Sequence, residues 1–299
     1  MKPLVIGTRG SPLALAQVEI IRGLLRKTNP SLPVETRIIK TSGDNFVNLS
    51  LVAGGGKGLF TKEIEEQLLG GHIHVAVHSM KDLPTILPEG LTIGAVPLRE
   101  DAHDVFISRN FQSISQLPGN ARVATSSIRR RAQLLAKRSD LQVEEIRGNV
   151  ETRLRKLAEN QSLDALVLAA AGLHRLGLWK KFGQFHWQEI DFDTMIPAVG
   201  QGAIACEVRA DDTATREALA GVNDVNTAAC VAAERAFLRA LGGGCQVPYA
   251  AHATVERERL CLIGATFGPD GKDVRRVDVF GSVSEPAVAG ERAARQVMK

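Results

Sequence analysis

RVATSSIRRRAQLLAKRSDLQVEEIRGNVETRLRKLAE, residues 122–159, decides the fold. Residues 123–125 read as a short buried strand. From Ile128 a helix is expected as far as Lys137. A second strand is expected over 143–146, a second helix over 150–159, and a third strand over 165–169. Preceded by a strand over 105–108, this run reads as an α/β unit, and where strand, helix, strand, helix and strand alternate, as they do in the N-terminal part, a largely parallel sheet covered on both faces is expected.

Working outward, the N-terminal part repeats that order. A strand over 4–8 is followed by Ser11-Pro12, an N-cap with proline at the first helical position, and a helix over 13–26. Then come a strand over 34–39, a helix over 59–69 and a strand over 73–77. Near Ile196-Pro197-Ala198-Val199-Gly200 the chain turns, and a strand over 203–208 is placed to return to the first sheet. The last third differs. A helix over 227–241 stops at Gly242-Gly243-Gly244, strands follow with a hairpin signal at Gly268-Pro269-Asp270-Gly271, and a helix closes the chain over 287–297. The expected domains are 1–99 with 197–220, 100–196, and a small α+β domain over 221–299.

Composition narrows the function. The 299 residues are 44% hydrophobic and 23% charged, an ordinary globular balance that excludes disordered and fibrous classes. No apolar run approaches the roughly 18 residues of a membrane span, and the N-terminus lacks a signal-peptide pattern, so a cytoplasmic protein is expected. The net charge of +4 is mild, but 25 of the 37 basic residues are arginine, the side chain that binds carboxylate or phosphate with two parallel donors. With 4% aromatic residues, a stacking surface for single-stranded nucleic acid is not expected. Cys206, Cys230, Cys245 and Cys261 match no zinc spacing. His72, His74 and His78 alternate along one strand without a partner at ligand spacing, so no metal is expected.

In an open α/β sheet, ligands sit at the carboxyl ends of the strands. The residues following those ends are Arg9 and Ser11, then Ser79, Lys81 and Asp82, then Ser126 to Arg131, then Arg147, Asn149 and Arg153. Arginines in the first turn of a helix oppose its dipole by about 0.3–1 kcal/mol each, which makes sense where an anion sits among them. Repeated at several strand ends, the pattern describes a cleft for a polyanion. Asp82 is the one carboxylate expected to face it, as a cap, an ion-pair partner or an acid–base group. The glycine run 54–58 fails the phosphate-loop pattern and reads as a flap. Cys245, within Gly-Gly-Gly-Cys, reads as an exposed thiol or as a small buried side chain.

Seven strings now coincide: GTRGSPLALAQ, GGGKGLFTKEIE, HVAVHSMKDLP, VATSSIRRRAQL, IRGNVETRLRKL, PAVGQGAIACEVR and GGGCQVP. In order and spacing they resemble the porphobilinogen deaminase (hydroxymethylbilane synthase) family. The resemblance implies two doubly wound domains like type II periplasmic binding proteins and a small C-terminal α+β domain. It implies head-to-tail condensation of four porphobilinogen units with loss of ammonia. It also implies a covalent dipyrromethane cofactor, thioether-linked to Cys245 and held by Lys81, Ser127, Arg129 and Arg130. Substrate carboxylates would fall to Arg9, Ser11, Arg147, Arg153 and Arg175, and the catalytic role to Asp82. A thiolate suits capture of the first electron-poor pyrrole, which gives a reason for cysteine at 245. One departure is Asn48, where many members carry an aspartate. The expected partner is a small molecule, with neither nucleic acid nor membrane involved, and the chain is expected to be monomeric. A non-catalytic binding module of the periplasmic type would share the α/β cleft but carry no covalent adduct.

Overall fold

The computed structural model describes residues 2–42, 61–243 and 247–299. The flap glycines 54–58, Asn48 and Cys245 lie outside them. In chain order the elements are β1 (Leu4–Thr8), α1 (Pro12–Thr28), β2 (Val34–Ile38), α2 (Lys62–Leu69), β3 (Val75–Ser79), β4 (Leu91–Ala95), β5 (Asp104–Ser108), β6 (Arg122–Ala124), α3 (Ile128–Lys137), β7 (Gln142–Glu144), α4 (Val150–Glu159), β8 (Ala165–Ala169), α5 (Ala170–Arg175), α6 (Leu178–Lys181), β9 (His186–Ile190), β10 (Ile204–Arg209), α7 (Thr213–Leu219) and α8 (Val225–Ala240). The chain then forms β11 (Tyr249–Glu256), β12 (Arg259–Thr266), β13 (Arg275–Ser282) and α9 (Pro286–Val297).

Two compact units result, one of Met1–Arg99 with Ala203–Ala228, the other of Glu100–Gly202 with Ala229–Lys299. The first holds a five-stranded sheet in the order β2-β1-β3-β10-β4. Strand β1 pairs parallel with β2 and β3, whereas β10 runs antiparallel to both β3 and β4. The expectation of largely parallel pairing therefore holds for only half the sheet. The reason is connectivity: β10 returns from a distant part of the chain and need not follow the right-handed crossover that makes consecutive strands parallel. Alternation along the strands serves both faces. Ile6, Val75, Val77 and Cys206 pack with Val18, Ile21 and Leu25 of α1, while Ala76 and Ile73 pack with Ile64 and Leu68 of α2.

The second unit holds a sheet in the order β7-β6-β8-β5-β9, parallel among its first three strands and antiparallel around β5. Leu166 and Leu168 pack on one face with Leu154 and Leu157 of α4, and Ala165 and Val167 on the other with Leu134 of α3. That period of two, with helices on each side, is why ALVLA is apolar throughout. The C-terminal sheet β11-β12-β13 is antiparallel, with α8 and α9 on one face contributing Phe237, Ala233, Ala289 and Ala293 to its core. Among the described residues no helix is long and apolar enough to cross a membrane.

Gly202 is a position where only glycine fits. Its φ is +85°, and a Cβ there would lie 2.3 Å from the Glu100 carbonyl oxygen. Gly202→Ala should cost about 1–3 kcal/mol from the backbone conformation alone, with the collision added. A urea midpoint equal to that of the parent chain would refute this.

Candidate functional site

In the first unit, the parallel strands β1 and β3 bring their carboxyl ends together. Arg9 and Ser11 follow β1, and Ser11 performs its expected capping role: its Oγ accepts from the Ala14 N–H at 3.3 Å. After β3 the chain makes one turn of 3-10 helix, Met80–Asp82. The Met80 N–H donates to the Ala203 carbonyl at 3.0 Å, and Leu83 N–H closes the turn on Met80 at 3.2 Å. Gln17 of α1, which is buried, donates to Ser79 Oγ at 2.8 Å and so ties the helix after β1 to the end of β3. Backbone contacts thus set the position of Lys81 and Asp82. Asp82 is exposed, and its carboxylate makes no hydrogen bond or ion pair among the described residues.

The three histidines form no joint site. His74 Nδ1 accepts from the Val5 N–H at 3.0 Å, His78 is buried against Glu207 at 3.2 Å, and His72 is exposed.

In the second unit the parallel trio β7-β6-β8 gathers three loops at one end of the sheet. Ser127 and the arginines of α3 follow β6, Arg147 and Arg153 follow β7, and Arg175 ends the helix after β8. Ser126 Oγ joins the first two loops by bonding both the N–H and the carbonyl of Ile146. Ser127 Oγ caps α3 by accepting from the Arg130 N–H at 3.4 Å, which leaves its own O–H as a donor.

Asp104, the first residue of β5, was not singled out by the sequence, yet it organises this end of the sheet. It is fully buried. Arg129 Nη1 lies 2.8 Å from its Oδ2, and Arg130 approaches Oδ1 through Nη2 at 2.7 Å and Nε at 2.9 Å. Gln201 donates to the same carboxylate at 2.9 Å. Arg129 also donates to the Ile196 carbonyl at 2.6 Å, and Gln133 clamps both the N–H and the carbonyl of Ile196. Burial alone would raise the Asp104 pKa, but Arg129 and Arg130 outweigh it and hold the carboxyl well below the usual range. Burial pushes the Arg129 guanidinium down while Asp104 pulls it up. Two of the three arginines in the first turn of α3 are therefore not solvated: Arg129 and Arg130 are 5% and 6% exposed, and the anion between them is the chain's own Asp104, whereas Arg131 is exposed.

Two guanidiniums against one carboxylate leave a surplus positive charge, and Arg129 Nε is buried without a hydrogen-bond acceptor among the described residues. Arg175 repeats the theme. It donates to the Gly202 carbonyl at 2.7 Å, burial lowers its pKa, and its Nε is likewise buried without an acceptor among the described residues. Unmet cationic donors fit a group rich in carboxylates. Arg153 Nε donates to the Gly148 carbonyl at 2.8 Å, and half-buried Arg147 pairs with Glu145 at 3.1 Å. A cavity of about 580 Å³ beside Arg147 is lined by Glu144, Glu145, Glu159 and Lys156 as well. Its acidic balance is wrong for a polycarboxylate.

Residues 4–217 match the family model described as porphobilinogen deaminase, dipyromethane cofactor binding domain, and residues 228–299 match the C-terminal domain of the same family. A porphobilinogen deaminase of Trichlorobacter lovleyi is 50% identical over 297 residues, covering 99% of this chain and 93% of its own length. One from a Geobacillus species is 46% identical over 300 residues, covering 100% and 94%. Among solved structures, an arginine-specific periplasmic binding protein of Salmonella typhimurium is similar at a TM-score of 0.43 and 13% identity, covering 74% of this chain and 92% of that one.

Proposed function

The chain belongs to the porphobilinogen deaminase family, and from that premise we propose how its residues divide the work. The activity is that of hydroxymethylbilane synthase, a transferase that joins four porphobilinogen units head to tail with loss of one ammonia per unit and then releases hydroxymethylbilane. The dipyrromethane cofactor of this family would be held through a thioether to Cys245 and would supply a tethered acceptor end for the growing chain.

Asp82 is the catalytic residue. Its exposed carboxylate stabilises the cation left on a porphobilinogen unit when the C–N bond to the aminomethyl nitrogen breaks. It accepts the proton given up by the pyrrole carbon that forms the new C–C bond, which balances the step. Lys81, Ser127, Arg129 and Arg130 hold the cofactor's carboxylates, with the surplus charge of the Asp104 cluster and the free O–H of Ser127 in support. Arg9, Ser11, Arg147, Arg153 and Arg175 take the acetate and propionate groups of the substrate units. The parts are the two α/β regions, 1–99 with 197–220 and 100–196, and a third, 221–299, that carries the attachment cysteine. A cytoplasmic monomer acting on a small molecule, and not on nucleic acid or membrane, accords with the mild charge of +4.

The family match along residues 4–217 and 228–299 carries this reading. Purified protein should consume porphobilinogen, and the denatured chain should keep the added mass of two pyrrole units, lost in Cys245→Ser. An active preparation with the mass of the bare chain would overturn the cofactor assignment.

A further inference from the structure

Outside the residues given roles above, the second unit gathers Asp101, His103 and Glu189, whose donor atoms all lie within 4.8 Å of one another. Their placement follows from the sheet. Glu189 is on the edge strand β9, opposite Val105 of β5, and Asp101 and His103 stand on the segment that leads directly into β5. Both sides of the trio are therefore anchored to one antiparallel pair.

The imidazole is fixed in direction. The His103 ring lies parallel to Phe192, with centroids 4.0 Å apart and planes 5° apart, and Phe192 rests in turn against His252 at 4.3 Å. Asp101 Oδ1 accepts from the His103 N–H at 2.8 Å and lies 2.6 Å from Nδ1. The carbonyls of the same segment are held too: Ala102 accepts from Gln201 at 2.7 Å, and His103 accepts from the Ala170 N–H at 3.0 Å. Asp101 and His103 are thus pre-positioned, and the exposed Glu189 side chain is what is left for a ligand to order.

We propose that Asp101, His103 and Glu189 form a binding site for one divalent transition-metal ion of the zinc, cobalt or manganese class. One imidazole and two carboxylates are borderline-to-hard donors, which suit those ions and disfavour soft ones such as Cu(I). Two carboxylates with a neutral imidazole carry a charge that one such ion cancels. Bonds of about 2.1 Å place neighbouring donors roughly 3.0–3.4 Å apart, so an ion would open the 2.6 Å contact between Asp101 and His103 by less than about 1 Å and draw Glu189 inward. Phe192 shields one face of the ring and so leaves the ion to approach in the ring plane, where the nitrogen lone pair lies.

The test uses the complete enzyme with its cofactor attached, titrated with Co²⁺ and followed by visible absorption. One equivalent should bind with a nitrogen and oxygen ligand spectrum. His103→Gln and Glu189→Gln should each weaken binding at least tenfold, and Zn²⁺ should raise the melting temperature of the parent enzyme only. Glu189 is exposed, so its variant folds irrespective of the site. Absence of stoichiometric binding, affinity unaltered in both variants, or a sulfur-to-cobalt charge-transfer band would overturn the assignment. None of these readouts depends on turnover, so they stand apart from the fate of the deaminase reading.

Discussion

Asp82→Asn should keep its attached pyrrole pair and its stability while releasing ammonia from porphobilinogen about 10²–10⁴ times more slowly, the usual range for loss of a positioned acid–base group. The separation of the two effects follows from how the residue is held. Backbone bonds from Met80 to Ala203 and from Leu83 to Met80 shape the turn, and the Asp82 side chain contributes no hydrogen bond among the described residues. Asparagine has the same outline, so melting temperature should not move. What disappears is the negative charge and the capacity to take a proton. A hundredfold loss corresponds to about 2.7 kcal/mol of transition-state stabilisation. Near-normal ammonia release by the variant would remove Asp82 from the mechanism. A fall in melting temperature to match the lost rate would make its role structural.

The features legible in the sequence were those written in adjacent residues. Ser11-Pro12 announces α1, and the Ser11 hydroxyl caps as its position predicts. The strand over 165–169 is plain because its two faces are both covered, leaving five apolar residues in a row. The antiparallel setting of β10 was not legible, since the hexapeptide IACEVR gives no sign of the direction in which it enters a sheet. β4 and β9 escaped for a related reason: Leu91–Ala95 contains Gly94, and His186–Ile190 is largely exposed, so neither has the apolar signature of a core strand. Asp104 escaped because its partners stand 25, 26 and 97 residues away and nothing local marks it. The arginine run supplied half the signal. A helix start that cationic needs a negative partner, but the sequence does not say whether that partner is a ligand or another part of the chain.

That ambiguity makes Asp104→Asn informative. The substitution leaves two nearly buried guanidiniums facing a neutral amide, and breaking a buried ion pair from one side costs about 3–5 kcal/mol. The pH dependence separates a charge effect from lost packing. Because the native carboxyl is held below its unfolded value of about 3.9, its contribution is fully present above that pH and is lost as pH falls toward the native pKa. The gap in urea stability between parent and variant should therefore be widest at neutral pH and shrink by about 1.4 kcal/mol for each unit below about pH 4. A gap that does not change with pH would mean that shape, not charge, is what Asp104 supplies. Release of Arg129 from Asp104 would also free the Ile196 carbonyl from one of its two side-chain donors, leaving Gln133 alone to hold it. A smaller fraction of the purified variant should carry the added mass of two pyrrole units, because Arg129 and Arg130, which hold the cofactor's carboxylates in this reading, are no longer aimed. A variant that loses stability yet carries its full complement of attached cofactor would detach the arginine pair from cofactor binding, and Asp104 would then serve the fold alone.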